Sequence, residues 1–350
     1  MTDATEVKVW TDGPLGRLRL NRPDALNALT HGMCLEIEKA LLDWRDDKSV
    51  TAILVDAEGD RAFCAGGDIQ YLYETGLNDP EPGRAFWRDE YRLNAMISNY
   101  PKPYIALMNG ITMGGGVGIS AHGSHRIVSD KTMVAMPETS IGFLPDVGGT
   151  WLLSRAPGET GIYLGLTGAR MNAADAIFTG FADAYVPADK LPDFISDLAG
   201  GTPADDALSR HAAPAPDGAL EGLQDRIADA FGHADVKSCI ARLDEMSATG
   251  DEWAAKTLSM VARNAPLALA CTFEAVHRAR KLGSLEDCLS LEFDFAYRAI
   301  AGHDFLEGIR AMVVDKDRNP DWRPATLDEV TPQMVDAMFA SLGDEQWKAA

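Results

Sequence analysis

Two stretches of this chain hold residue types that can do chemistry together. Gly110–Gly118 reads GITMGGGVG and follows an apolar run, Tyr104–Met108, so bare backbone N–H groups can face a ligand there. Met136–Thr150 reads MPETSIGFLPDVGGT and sets Glu138 and Asp146 among apolar, glycine and proline residues. A carboxylate in such company is costly to bury unless donors or a reaction require it. A third stretch, Arg61–Ile69 (RAFCAGGDI), adds a second glycine loop after a second apolar strand pattern. Two such loops, each giving one N–H to one carbonyl oxygen, would make a two-donor oxyanion hole. With a held carboxylate beside it, that is the equipment of acyl transfer or enolate formation.

Each feature also has a plainer reading. Gly66-Gly67 suits a tight turn with Asp68 as a helix N-cap, and the longer glycine run suits close packing of a helix on a sheet. Glu138 and Asp146 both suit helix starts, where carboxylates meet free N–H groups. Against this, two carboxylates separated by an apolar IGFL link resemble a pocket lining, and burial with mutual proximity would raise and split their pKa values. Phosphate-binding GxxxxGK[ST] and dinucleotide-binding GxGxxG patterns are both missing. Cys64 reads as a small packing residue rather than a nucleophile.

The elements that must position these residues follow from periodicity and punctuation. Val7–Trp10 and Gly16–Leu20 read as a hairpin around Asp12-Gly13-Pro14. Thr30 suits the N-cap of a helix through Asp46, with Met33, Leu35, Ile37, Ala40, Leu41 and Trp44 near helical spacing. Val50–Val55, Tyr104–Met108 and His125–Val128 read as buried strands, with a helix at Gly83–Asn99 and another opened by the glycine run through Ala121. Alternation of this kind implies a mostly parallel sheet with right-handed crossovers. After about Pro187 the character changes. Residues 1–195 read as the core carrying the active site, 196–218 as a loop or linker rich in Ala, Pro, Asp and Gly, and 219–350 as a helical region.

Composition narrows the function classes. The chain has 350 residues, ample apolar content for a large core, and a net charge of −21, which disfavours nucleic acid or an anionic membrane as partner. No run approaches a membrane span, and the N-terminus lacks the look of a signal or transit peptide, so a cytoplasmic location is expected. Five dispersed cysteines without CxxC, and histidines without HxxxH or HExxH, fit a reducing compartment and no metal site.

AFCAGGDI, NGITMGGGVGIS and MPETSIGFLPDVGGT resemble the signature blocks of the crotonase (enoyl-CoA hydratase/isomerase) superfamily, and Arg22-Pro23 with Asn27-Ala28-Leu29 resembles its N-terminal block. FWRDEYRLN (Phe86–Asn94), AGHDFLEGIRA (Ala301–Ala311) and DKDRNPDWRPATLDEV (Asp315–Val330) resemble one of its thioester-hydrolysing subfamilies, with a long C-terminal extension. The resemblance implies an α/β fold, a crotonase-like spiral of ββα units with a helical C-terminal region. It assigns the Gly67 and Gly115 N–H groups to the oxyanion hole and Glu138 and Asp146 to catalysis. Glu90, Gly66, Asp68 and Gly114 would contact substrate. Without the resemblance, Glu90 is an ordinary solvated helix charge. Hydratases of the superfamily carry a second catalytic glutamate where this chain has Gly118. The implied reaction is therefore hydrolysis of a short-chain 3-hydroxyacyl-CoA thioester, 3-hydroxyisobutyryl-CoA in valine catabolism being favoured, with no cofactor beyond the coenzyme A of the substrate. Enoyl-CoA isomerase or hydratase activity, and non-catalytic acyl-CoA binding, are the alternatives. The resemblance also implies assembly through C-terminal helices into a homo-oligomer, although this extension could equally fold back over its own pocket.

Overall fold

The computed structural model describes residues 5–349; Met1–Ala4, the start of the stretch read for a leader, and Ala350 lie outside them. Among the described residues there are nine strands: β1 Val7–Asp12, β2 Leu15–Leu20, β3 Ala52–Ala57, β4 Ala62–Cys64, β5 Tyr104–Met108, β6 Ile111–Met113, β7 His125–Val128, β8 Met133–Ala135 and β9 Ala184–Tyr185. They form a six-stranded sheet in the order β1-β2-β3-β5-β7-β9 and a three-stranded sheet in the order β4-β6-β8. Only β1 and β2 are antiparallel in the large sheet, as a hairpin; β2 through β9 run parallel. Three times the chain lays one strand in the large sheet, the next in the small one, and then turns helical, which is the expected spiral of ββα units. Every residue of β5 is buried, as a central parallel strand covered on both faces requires.

The chain divides into two compact units. The first holds the described residues up to Asp68, then Asp89–Val134 and Met171–Ala219; the second holds Ile69–Arg88, Ala135–Arg170 and the described residues from Leu220 on. This is not the sequential split at 195 and 219 that composition suggests. The segment read as a linker is also largely structured. It contains the end of the Leu191–Ala199 helix and all of the Ala204–His211 helix. Phe194, Leu198, Ala204 and Ala207 share one buried cluster with Leu15, Leu54, Ile105, Leu107 and Ile127 of the large sheet. Alanine-rich sequence reads as loop until its small side chains find a sheet to pack against.

In the first unit the Thr30 hydroxyl accepts from the Met33 N–H, capping the His31–Arg45 helix as expected. The buried face takes Cys34 in place of the expected Leu35, which is 42% exposed. The helix expected to run through Ala121 is a single turn, Gly115–Gly118.

The second unit is mostly helical. The region expected to be helical, 219–350, contains helices at Val236–Ala248, Glu252–Val261, Pro266–Ala279 and Leu285–Ala299. Its Gly149–Arg155 and Thr160–Thr167 helices cross so closely that a Cβ on Gly161 would lie 1.8 Å from the Leu153 carbonyl oxygen. Backbone cannot yield that distance cheaply. We therefore expect Gly161→Ala to destabilise the protein by about 1–3 kcal/mol or more, read as a lower midpoint in urea unfolding.

Candidate active site

The Gly66-Gly67 loop of the first unit is braced by the N-terminal block. Leu29 N–H donates to the Gly66 carbonyl and Asp68 N–H donates to the Leu29 carbonyl, each at 2.8 Å. In a parallel bridge of this kind, between Leu29 and Gly67, the N–H of Gly67 itself points away from its partner strand. The Asn27 amide donates to the Glu58 and Ala62 carbonyls at 3.0 Å, and Arg22 reaches the Ala28 carbonyl at 2.6 Å and Asp68 Oδ2 at 3.0 Å. Asp68 thus belongs to the brace. Gly66 has φ +119°, a conformation that a side chain would strain.

The second loop meets the first. Gly114 (φ 47°) opens the one-turn Gly115–Gly118 helix, and the position of a Cβ on Gly115 lies 3.3 Å from the Gly67 nitrogen. Among the described residues neither the Gly67 nor the Gly115 N–H is taken up in a turn, loop or cap hydrogen bond. Two uncommitted donors a few ångströms apart, with no side chain between them, can serve one oxyanion. A Cβ on Gly116 would lie 2.3 Å from the Cys64 carbonyl, so that glycine answers to packing. Cys64 is fully buried, its thiol pushed up to about 12 chiefly by burial, which fits the packing role.

Glu90 is no solvated charge. It is 2% exposed, and its Oε1 lies 2.7 Å from where a Gly115 Cβ would be. Its neighbour Asp89 is only partly buried, and is paired with His31 and Arg92.

The second unit holds the carboxylates. Glu138 starts the 3-10 turn Glu138–Ile141, is 8% exposed, and has an Oε2 with no hydrogen-bond partner. Burial, then the charge of nearby Asp146 and, more weakly, that of Glu292, hold its carboxyl well above the ordinary range. The turn is clamped from the C-terminal extension: a Cβ on Gly308 would lie 2.4 Å from the Ile141 backbone, and one on Gly142 would lie 2.5 Å from that of Asp304. Between the two carboxylates, Phe143 stacks on Trp87 at 5.1 Å and packs on Phe305 at 4.7 Å and Phe295 at 5.3 Å. The apolar link is a core anchor that fixes the spacing of the acids.

Asp146 is buried but is not an N-cap; Gly148 occupies that position on the Gly149–Arg155 helix. The donors at this helix start go to Glu292, which periodicity alone did not single out as functional. Glu292 is 0% exposed and accepts from Gly148 N–H at 2.7 Å, Thr150 N–H at 2.9 Å and the Thr150 hydroxyl at 2.5 Å. Burial nevertheless pushes its carboxyl up to about 8, with Asp146 adding to the rise. A signal was present: Glu292 interrupts the buried stripe Leu285, Cys288, Leu289, Ala296 and Ala299 of its helix. Among the described residues no group of three or more His, Cys, Asp or Glu side chains is arranged to hold a metal, and no helix is long and apolar enough to cross a membrane.

The family model described as enoyl-CoA hydratase/isomerase matches residues 15–339. The chain belongs to that family. It is 38% identical to the mitochondrial 3-hydroxyisobutyryl-CoA hydrolase of Xenopus tropicalis, over 96% of this chain and 89% of that one. Against the human protein of the same name it is 37% identical over 99% and 92%. Among solved structures it superposes on a carnitinyl-CoA dehydratase from Mycobacterium thermoresistibile with TM-score 0.93 and 46% identity, covering 97% of each chain. An enoyl-CoA hydratase from Rhodobacter sphaeroides 2.4.1 gives the same score and identity over 98% and 100%.

Two outcomes are expected. Gly115→Ala puts a methyl against Glu90 and the Gly67 amide, so its turnover should fall by about 10²-fold, as for loss of one oxyanion donor, in a steady-state assay. Glu292 has a folded pKa of about 8 against an ordinary value of 4.5, so within that window the folded state binds the extra proton. Its contribution to stability is present below about pH 4.5 and lost as pH rises towards about 8. Urea unfolding between pH 5 and 8 should show that decline in the parent and a shallower one in Glu292→Gln.

Proposed function

We propose that this chain hydrolyses a short-chain 3-hydroxyacyl-CoA thioester, 3-hydroxyisobutyryl-CoA to 3-hydroxyisobutyrate and free coenzyme A. The observation that carries the reading is a buried carboxylate, Glu138, with an oxygen left without a partner, in a chain whose near-full-length relatives are named for this hydrolysis. Water adds across the acyl carbon as the C–S bond breaks, and the thiolate leaves with a proton. In this reading the carbonyl oxygen accepts from the N–H groups of Gly67 and Gly115 as negative charge develops on it. Glu138, ionised, either attacks the carbonyl carbon to give a mixed anhydride or takes the proton of the attacking water. Asp146 orients Glu138 or the substrate hydroxyl. Gly66 and Gly114 let the substrate approach the two loops, Asp68 holds the first of them, and Glu90 lines the Gly115 loop.

The raised carboxyl of Glu138 gives the mechanism a pH signature: the working form is the deprotonated one, so kcat/KM rises with pH as that carboxyl ionises. The reading places the reaction in the cytoplasm, on five buried free thiols that suit a reducing compartment. The vertebrate relatives are named mitochondrial, and the same thiol chemistry suits both.

A second reading, hydration or dehydration at a carbon–carbon double bond, is favoured by the names of the two solved structures. Against it stands Gly118, where the superfamily resemblance implies a hydratase would carry a second glutamate. Thiol release from 3-hydroxyisobutyryl-CoA, set against enoyl absorbance without thiol release, separates the two. Glu138→Gln should abolish turnover while still binding coenzyme A; a variant within about tenfold of the parent would reject Glu138 as the reacting group. Single turnover in ¹⁸O-water distinguishes the chemical routes, since label enters Glu138 only through the anhydride.

A further inference from the structure

Glu292 stands 144 residues beyond Gly148 in the chain, yet its carboxylate accepts from two backbone N–H groups and a hydroxyl within one turn of Asp146. That turn is strained. Val147, buried and β-branched, has φ 53°, a conformation costing about 1–3 kcal/mol that persists only where surroundings over-determine it. Gly148 follows at φ 78°. The Asp146 carbonyl accepts from Gly149 N–H at 2.6 Å, closing the turn, and Phe143 anchors its other side. The free N–H groups of the helix start favour a carboxylate here, but they do not require one. A neutral side chain or a water could satisfy two N–H groups without placing a third buried carboxyl beside Asp146 and Glu138. An amide could not satisfy all three donors. Its single oxygen could keep the Thr150 pair, but its NH₂ would then face the Gly148 N–H. Cys288, one turn earlier on the same helix, and Arg155, which faces Cys288, are further titratable or charged groups near Glu292.

We propose that Glu292 is a positioning residue for the hydrolysis: by bridging the Gly148 and Thr150 N–H groups it holds the strained Asp146–Gly148 turn, and through it the Asp146 carboxylate, in the geometry that turnover requires. The inference rests on the reading of Asp146 and Glu138 as the working carboxylates. Glu292 touches no reacting atom in this account. Its effect passes through Asp146.

The experiment is steady-state thiol release from 3-hydroxyisobutyryl-CoA by the full chain. A parent that releases no thiol overturns the activity and this inference with it; an active parent isolates the inference. Glu292→Gln is then expected to lower kcat by about 10²-fold with KM within about threefold, as for a misplaced catalytic group. In an Asp146→Asn background the same change should cost no more than about threefold, because the group it positions is already disabled. A purely structural role predicts the same loss in both backgrounds, and that result overturns the proposal, as does a Glu292→Gln enzyme within about threefold of the parent. Should Glu292→Gln fail to fold, Thr150→Val, which removes only the hydroxyl donor, is read the same way: reduced kcat at constant KM in the parent background supports the proposal, and unchanged kcat overturns it.

Discussion

A carboxylate taken out of water must be met by donors or keep its proton, and the second unit takes three of them out together. The contrast between Glu292 and Glu138 shows which effect wins. Glu292 receives three hydrogen bonds, each favouring the charged form, and its carboxyl is still pushed up to about 8. Burial outweighs all three. Glu138, with one oxygen unmet and Asp146 nearby, has less to offset the same cost. Its carboxyl is accordingly held well above the ordinary carboxylate range, the kind of shift that an acid–base role can use.

Holding those acids in place falls to contacts in which side chains have been removed rather than added. Gly308 against Ile141, Gly142 against Asp304 and Gly161 against Leu153 bring backbone to backbone at distances that a methyl group would abolish. Close packing of this kind transmits position rigidly, because nothing in the contact can rotate away. The long C-terminal extension therefore acts locally, since its Asp304–Ile309 helix seats the turn that carries Glu138. In the first unit the same device leaves space open instead. Gly115 lacks the side chain that would fill the space beside the Gly67 amide, while Gly116 merely makes room for Cys64.

Much of this was legible in the residues. The hairpin, the Thr30 cap, strands Tyr104–Met108 and His125–Val128, and the C-terminal helices were marked by periodicity and punctuation, which are local properties. Misreadings arose where a tertiary contact overrode local character. Ala204–His211 became a helix because the large sheet offered its alanines a surface. Leu35 faces solvent while Cys34 is buried, because the helix is rotated by what it packs on. Asp89 and Glu90 are adjacent and alike in sequence, and only the rotation of their helix separates a partly exposed, ion-paired carboxylate from a buried one.

Residue order alone supplied the chemical inventory: glycine loops after apolar strands, two acids set in apolar company and dispersed cysteines, with the family resemblance adding the meaning of Gly118. The folded arrangement was needed to establish that the Gly67 and Gly115 amides are neighbours, that Asp146 is not a helix cap, and that Glu292 takes the donors a capping Asp146 would have accepted. The difference is one of range. Propensity and spacing act over a few residues, whereas desolvation and hydrogen bonding depend on whatever the fold brings within a few ångströms, here a carboxylate 144 positions away from the amide it meets.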